Sequence, residues 1–189
     1  MVKFIDAKID NFAKQLQQRN NLDRIEYLKM RLGMQVVVNN FFKTIVIYGV
    51  SLLCHMFLYT LTVHLSFLLI RVSAHGAHAT SSLFCYIQSL VIFVLLPAII
   101  GYYQVSSVLL YPLAIIGFII LATFAPTATK KQPIPERLKK SKKIKTIIST
   151  ALLLLLSLFF ETPYQQFILI GIVIVSCYQL PTILLKEDV

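Results

Sequence analysis

Cys85 is the residue of this chain best placed to act as a nucleophile. It closes the stretch Arg71-Val72-Ser73-Ala74-His75-Gly76-Ala77-His78-Ala79-Thr80-Ser81-Ser82-Leu83-Phe84-Cys85, which gathers two of the four histidines and one of the three cysteines. The thiolate is the reactive form of cysteine, and a neighbouring imidazolium or a helix start favours it. This stretch offers both. Ser81 and Ser82 have the hydroxyls that cap helix N-termini, just before an apolar run that begins near Leu83. Cys85 then falls in the first turn, where the helix dipole favours negative charge. His78 precedes Cys85 by seven positions. On one continuous helix the two would share a face but stand about 10 Å apart along the axis. A hydrogen bond needs about 3 Å. Residues 79–82 must therefore turn, folding His78 back over the helix start as general base. His75 is an alternative base. Gln88 lies one turn beyond Cys85 on the same face and could bond an oxyanion or orient His78.

The same residues admit blander readings. Cys85 could be a small buried hydrophobe and the histidines loop polar groups. His75, His78 and Cys85 are also metal-ligand types, but a fourth ligand and a supporting acid are missing nearby, so no metal is expected. Cys54, Cys177, His55 and His64 read as span residues without a role.

The elements that must position Cys85 are membrane helices. Of 189 residues, 57% are hydrophobic and only 14% charged, and the mean hydropathy is +0.76. Soluble domains carry about 25% charged residues. Stretches 44–70, 72–129, 146–160 and 162–185 hold no charge at all, and such runs read as membrane spans. A soluble enzyme, a coiled coil and a disordered regulator are excluded. The net charge of +10 is uneven: residues 1–40 hold seven Lys/Arg and residues 129–145 hold eight, whereas residues 41–128 hold only Lys43 and Arg71 and no acid. Basic clusters beside spans mark the cytoplasmic face and its anionic lipids, which makes nucleic acid the weaker partner. Three widely spaced cysteines give no disulfide framework.

The pattern predicts an all-α, polytopic membrane protein with N-terminal amphipathic interfacial helices, forming one domain over 1–189. Ile5, Ile9, Phe12, Ala13 and Leu16 line one helical face, opposite Lys3, Asp6, Lys8, Asp10 and Lys14. A second helix is expected from Leu22, with Ile25, Leu28 and Leu32 on one side. Residues 1–40 are then cytosolic or interfacial. Residues 41–70 are a re-entrant or bent membrane segment, since 44–70 is long for one span and short for two. Residues 71–82 are the catalytic loop, 83–128 a membrane hairpin, 129–145 a basic cytosolic loop and 146–185 a second hairpin. This arrangement puts the active site on the cytoplasmic side of the cell membrane.

Taken together, the island Ala74–Ala79 with Ser81, Ser82 and Cys85 resembles the active-site segment of the accessory gene regulator protein B (AgrB) family of staphylococci and related Firmicutes. Arg19-Asn20-Asn21-Leu22-Asp23 and Arg31-Leu32-Gly33-Met34-Gln35-Val36 resemble its N-terminal region. Ala125-Pro126-Thr127-Ala128-Thr129-Lys130-Lys131-Gln132-Pro133-Ile134-Pro135 resembles its basic loop, and Leu180-Pro181 with Lys186-Glu187-Asp188 its tail. The resemblance covers essentially the whole chain. It implies a quorum-sensing cysteine endopeptidase, working as a homodimer without a cofactor, that removes the C-terminal tail of an AgrD-like propeptide. The nucleophile maps onto Cys85 and the catalytic histidine onto His78; the third catalytic group stays open. A thioester to Cys85 would then be attacked by a cysteine of the peptide, closing a thiolactone. Position 88 is Gln where some members carry an acid, so the resemblance implies no carboxylate there. Lys130, Lys131, Arg137, Lys139 and Lys140 could steer an acidic tail, or serve only topology and lipid headgroups. The competing classes are a small membrane transporter, which needs ionisable groups inside its spans, and a non-catalytic membrane adaptor, which would tolerate loss of the Cys85 thiol.

Overall fold

A computed structural model of the chain describes residues 2–76, 82–128 and 134–180, with the side chains of residues 2–5 and 82 left aside. Among the described residues eight α-helices follow one another: α1 (Val2–Asn20), α2 (Arg24–Leu53), α3 (Phe57–Ala74), α4 (Ser82–Leu90), α5 (Leu96–Tyr103), α6 (Ser107–Phe124), α7 (Glu136–Ser157) and α8 (Tyr164–Cys177). A π-helical turn, Val91–Leu95, joins α4 to α5 without a break. No strand occurs among the described residues. Among the described residues four segments are long and apolar enough to cross a membrane: α2, α3, Leu83–Tyr103 and α6. The chain is an all-α, multi-pass membrane protein.

The chain divides into two units, Met1–Val46 and Ile47–Val189. In the first, α1 is amphipathic as its spacing predicts: Ile9 and Ala13 are buried while Phe12 is 55% exposed. The Ile5 side chain lies outside the described set. Asp10 is the hub, paired to Lys14 Nζ at 3.0 Å and Arg31 Nε at 2.8 Å, and accepting a hydrogen bond from Tyr27 Oη at 2.8 Å. The Lys14 ammonium and then the Tyr27 hydroxyl hold the Asp10 carboxyl below its ordinary value.

Three sequence-based boundaries change. The helix expected from Leu22 runs through the expected boundary at residue 40 and continues as α2 to Leu53, because Lys43 alone does not interrupt a helix whose long cationic stem can reach outward. The bend in 41–70 falls at Cys54-His55-Met56, where His55 turns left-handed at φ 56° and Met56 N donates to Ser51 O at 2.8 Å. Residues 136–145 of the expected basic loop are the first turns of α7, and residues 71–74 of the expected catalytic loop are the last turn of α3.

In the second unit α8 is the axis. Residues 166–172 are all buried, and α8 packs on α3, α6 and α7. Small residues let the backbones approach. A Cβ on Gly171 would sit 2.5 Å from Ser66 Cβ, and one on Gly117 would sit 2.9 Å from Ser176 Oγ. His64, read from sequence as without a role, is buried at 7% exposure. Its Nδ1 is 3.0 Å from Tyr48 Oη, and its ring lies 4.5 Å from Phe93 in the π-helical turn. The hairpin turns at 54–56, 104–106 and 161–163 meet at one end of the unit around a cavity touched by Met56, Gln104, Ser106 and Pro163. The ends of α3, α6 and α8 meet at the other.

Candidate functional site

At that second end the chain stops being helical for a local reason. His75 has φ 58° and Gly76 φ 114°, and an α-helix cannot pass through left-handed residues. Glycine at 76 is required by space as well as conformation: a Cβ there would stand 2.5 Å from Arg71 Nη1 and 2.8 Å from the Tyr178 carbonyl oxygen. Polar groups from four elements converge on this turn. Arg71 Nη1 donates to His75 O, and Nη2 donates to Gly76 O at 3.2 Å. The guanidinium lies over the Tyr178 ring, 4.8 Å from its centre. Gln179, fully buried, donates from Nε2 to Ala74 O at 3.2 Å and His75 O at 3.1 Å. Its Oε1 accepts from Thr127 Oγ1 at 2.5 Å. Thr127 N donates to Ala74 O at 3.2 Å, pairing Thr127 with His75 as an isolated bridge.

The His75 ring is part of this cluster. Its Nδ1 is 3.2 Å from Ser73 O, a carbonyl that can only accept, so Nδ1 carries the proton. Nε2 then offers its lone pair to Lys142 Nζ at 3.3 Å. The lone pair a general base needs is thus committed to an ammonium on α7. His75 joins α3 to α7.

Cys85 is the fourth residue of α4, in its first turn, and half-buried. Gln88, also half-buried, stands one turn along α4. Cys54 and Cys177 are exposed on the outside of the bundle. Arg137 and Lys140 are exposed and Lys139 half-buried on the first turns of α7, with Lys139 Nζ 2.6 Å from Glu136 Oε1. His78, Ser81, Lys130, Lys131 and residues 181–189 lie outside the described residues, as does the Ser82 side chain. Among the described residues, no three His, Cys, Asp or Glu side chains converge as metal ligands would.

Sequence reading picked out Cys85, His75 and Gln88 but missed Thr127, Lys142, Tyr178 and Gln179 as neighbours of the site. Arg71 carried a readable signal, being one of two charges in residues 41–128; an isolated ionisable residue in apolar surroundings marks a site by default. Gln179 carried none, because its role depends on carbonyls a hundred residues away.

The family model described as Accessory gene regulator B matches residues 9–183. The chain is 73% identical to the accessory gene regulator protein B of Staphylococcus saprophyticus, covering 100% of both chains. It is 51% identical to that of Staphylococcus haemolyticus, over 99% of this chain and 100% of the relative. The Staphylococcus carnosus protein of the same name is 48% identical, over 99% of this chain and 98% of the relative. No solved structure matches.

Proposed function

Because the chain belongs to the accessory gene regulator B family, we propose that it is a membrane cysteine endopeptidase that cuts the C-terminal tail from an AgrD-like quorum-sensing propeptide and closes the remainder into a thiolactone. The observation that carries this reading is the half-buried Cys85 in the first turn of α4, at the end of the bundle from which the chain leaves Gly76 toward His78.

The chemistry runs in two exchanges. His78 takes the Cys85 proton, and Sγ attacks the carbonyl carbon at the tail junction. The oxyanion collapses, the C–N bond breaks, and His78 protonates the departing amine. The peptide is then a thioester on Cys85. A thiol within the peptide gives its proton to His78 and attacks the same carbonyl; the new C–S bond closes the ring as the bond to Cys85 breaks. Thiol–thioester exchange is close to energy-neutral, so the ring accumulates only where the tail has left and water is kept from the thioester. The α4 N-terminus supplies positive potential at the sulfur. Arg137, Lys139 and Lys140 attract the acidic tail.

In this reading residues 1–40, the Gly76–Ser82 connection and the basic start of α7 face the cytosol. Counting α2 and α3 as an out-and-back pair meets the charge rule. The test is reconstitution of the full chain in vesicles with a propeptide. Cys85→Ala and His78→Ala are expected to abolish cleavage, and Cys85→Ala also the covalent peptide adduct. Cleavage that survives in Cys85→Ala would end the proposal.

A further inference from the structure

The span Leu83–Tyr103 carries Cys85 near its start, and both its faces repeat every four residues. On the inner face Ser89, Phe93 and Pro97 are buried and Cys85 is half-buried. On the outer face Ile87 is 52% exposed, Val91 45%, Leu95 51% and Ile99 44%. A straight α-helix cannot keep either row on one side. It turns about 100° per residue, so a row spaced by four drifts about 40° at each step and about 120° over three steps. The π-helical turn Val91–Leu95 resolves the conflict. Leu96 N donates to Val91 O, five residues back. The turn therefore holds one residue more than an α-turn and returns about 100° of the drift, leaving about 20°. Cys85 stays on the side of Phe93 and Pro97.

Sequence and packing put the turn at this place. Pro97 has no N–H to offer Phe93 O, and its ring crowds that carbonyl; a wider turn before it gives the carbonyl room. Phe93 then fixes the turn against α3. Its ring lies 4.5 Å from that of His64 and 5.1 Å from that of Phe67. His64 is held in turn by Tyr48 of α2, whose Oη is 3.0 Å from Nδ1. The turn and α5 both pack on α3, whereas among the described residues α4 packs on no element as extensively as on the turn that follows it. Leu90, between α4 and the turn, is itself helical. The angle at which Cys85 stands is passed to it along continuous helical backbone from the clasped turn.

We infer that the π-turn Val91–Leu95, clasped on α3 by Phe93 between His64 and Phe67, sets the face of the helix on which Cys85 stands. One extra residue upstream of the turn would carry the sulfur about 100° around the axis, to the place now held by Phe84, which is 55% exposed. The turn thus keeps the thiol on the protein side of the span and out of the hydrocarbon. Its consequence for cleavage rests on the proposed peptidase reading; the face itself does not.

The face is tested in the full chain in vesicles by nitroxide labels on single cysteines, in a Cys54→Ser, Cys85→Ser, Cys177→Ser background. Collision with dissolved oxygen reports exposure to lipid. Oxygen should reach the label more often in Ile87→Cys than in Gln88→Cys, with Leu95→Cys and Ile99→Cys as high as Ile87→Cys. A straight helix in phase with Leu95 and Ile99 would put Gln88 where Ile87 now stands and reverse the order. The consequence is tested in the parent chain with a propeptide. An alanine inserted between Ser89 and Leu90 should lower kcat by about a hundredfold or more, the size expected for a misplaced reacting group. It should also slow alkylation of Cys85 by water-borne iodoacetamide, because a thiol among lipid tails does not ionise. Removing Val91 from the inserted chain restores the residue count and should recover most of both rates. Should the inserted chain not fold, the order of Ile87→Cys and Gln88→Cys decides alone. A higher oxygen collision rate at Gln88→Cys overturns the inference. So does an inserted chain that cleaves and is alkylated at parental rates, or one in which removing Val91 recovers nothing. Cys85→Ala separates the two ideas: cleavage retained there rejects the peptidase reading and leaves the labelling order standing, whereas a reversed order rejects the role of the turn whatever the cleavage rate.

Discussion

Replacing Gly76 by alanine tests how tightly the turn before His78 is built. The new Cβ would lie 2.5 Å from Arg71 Nη1, 2.8 Å from Tyr178 O and 3.2 Å from Gln179 Nε2. Side-chain ends can shift, but the Tyr178 oxygen is backbone held by the end of α8. The φ of 114° adds about 1–3 kcal/mol for any residue with a Cβ. Pushing Arg71 away weakens a charge-assisted hydrogen bond, worth about 1.5–3 kcal/mol. The sum, about 2.5–6 kcal/mol, falls on a connection of a few residues and not on the helical bundle. It should therefore appear as a displaced turn with the bundle intact. Even about 3 kcal/mol of lost positioning corresponds to a rate loss of about a hundredfold. The assay is cleavage of a propeptide by vesicle-embedded protein, beside thermal unfolding in detergent. Gly49→Ala is the control, since its Cβ would meet nothing within 4 Å. Gly76→Ala cleaving within about twofold of the parent would refute the claim that this turn is sterically fixed.

Gly171→Ala forces a Cβ to within 2.5 Å of Ser66 Cβ at the α3–α8 contact; it should cost about 1–3 kcal/mol, read as a lowered melting temperature of the whole bundle. Tyr48→Phe removes the hydroxyl that meets His64 Nδ1 at 3.0 Å and should lower stability by about 1 kcal/mol in the same measurement. The Asp10 ion pairs give a pH dependence: the carboxyl titrates lower when folded than its ordinary 3.8, so its contribution is complete above that value and fades as pH falls through the folded pKa. Lys14, held above its ordinary 10.5, contributes below that value and loses its part as pH rises through its own raised pKa. Hydrogen exchange of α1 should report loosening in acid, and added salt should weaken the pairing at neutral pH.

Much of this protein is written locally. Charge-free runs of span length determine that the chain is helical and lives in a membrane, because hydrocarbon leaves the backbone no partner but itself. The break between α5 and α6 was legible from Gly101–Gln104 and Ser106-Ser107: Gln104 turns left-handed at φ 47° and Ser106 caps α6 by accepting from Val108 N at 3.3 Å. The start of α4 at Ser82, and with it the first-turn position of Cys85, followed from two serines before an apolar run. What the sequence could not decide was where α2 ends, since Lys43 looks like a boundary and the real stop, at His55, depends on an unusual backbone turn. Nor could it show that His75 gives its lone pair to Lys142, or that Gln179 holds carbonyls at 74 and 75. Those contacts join residues 67 and more than a hundred positions apart. Spacing rules act over a helical turn, and only the packing of α3, α6, α7 and α8 brings these groups within 3.3 Å.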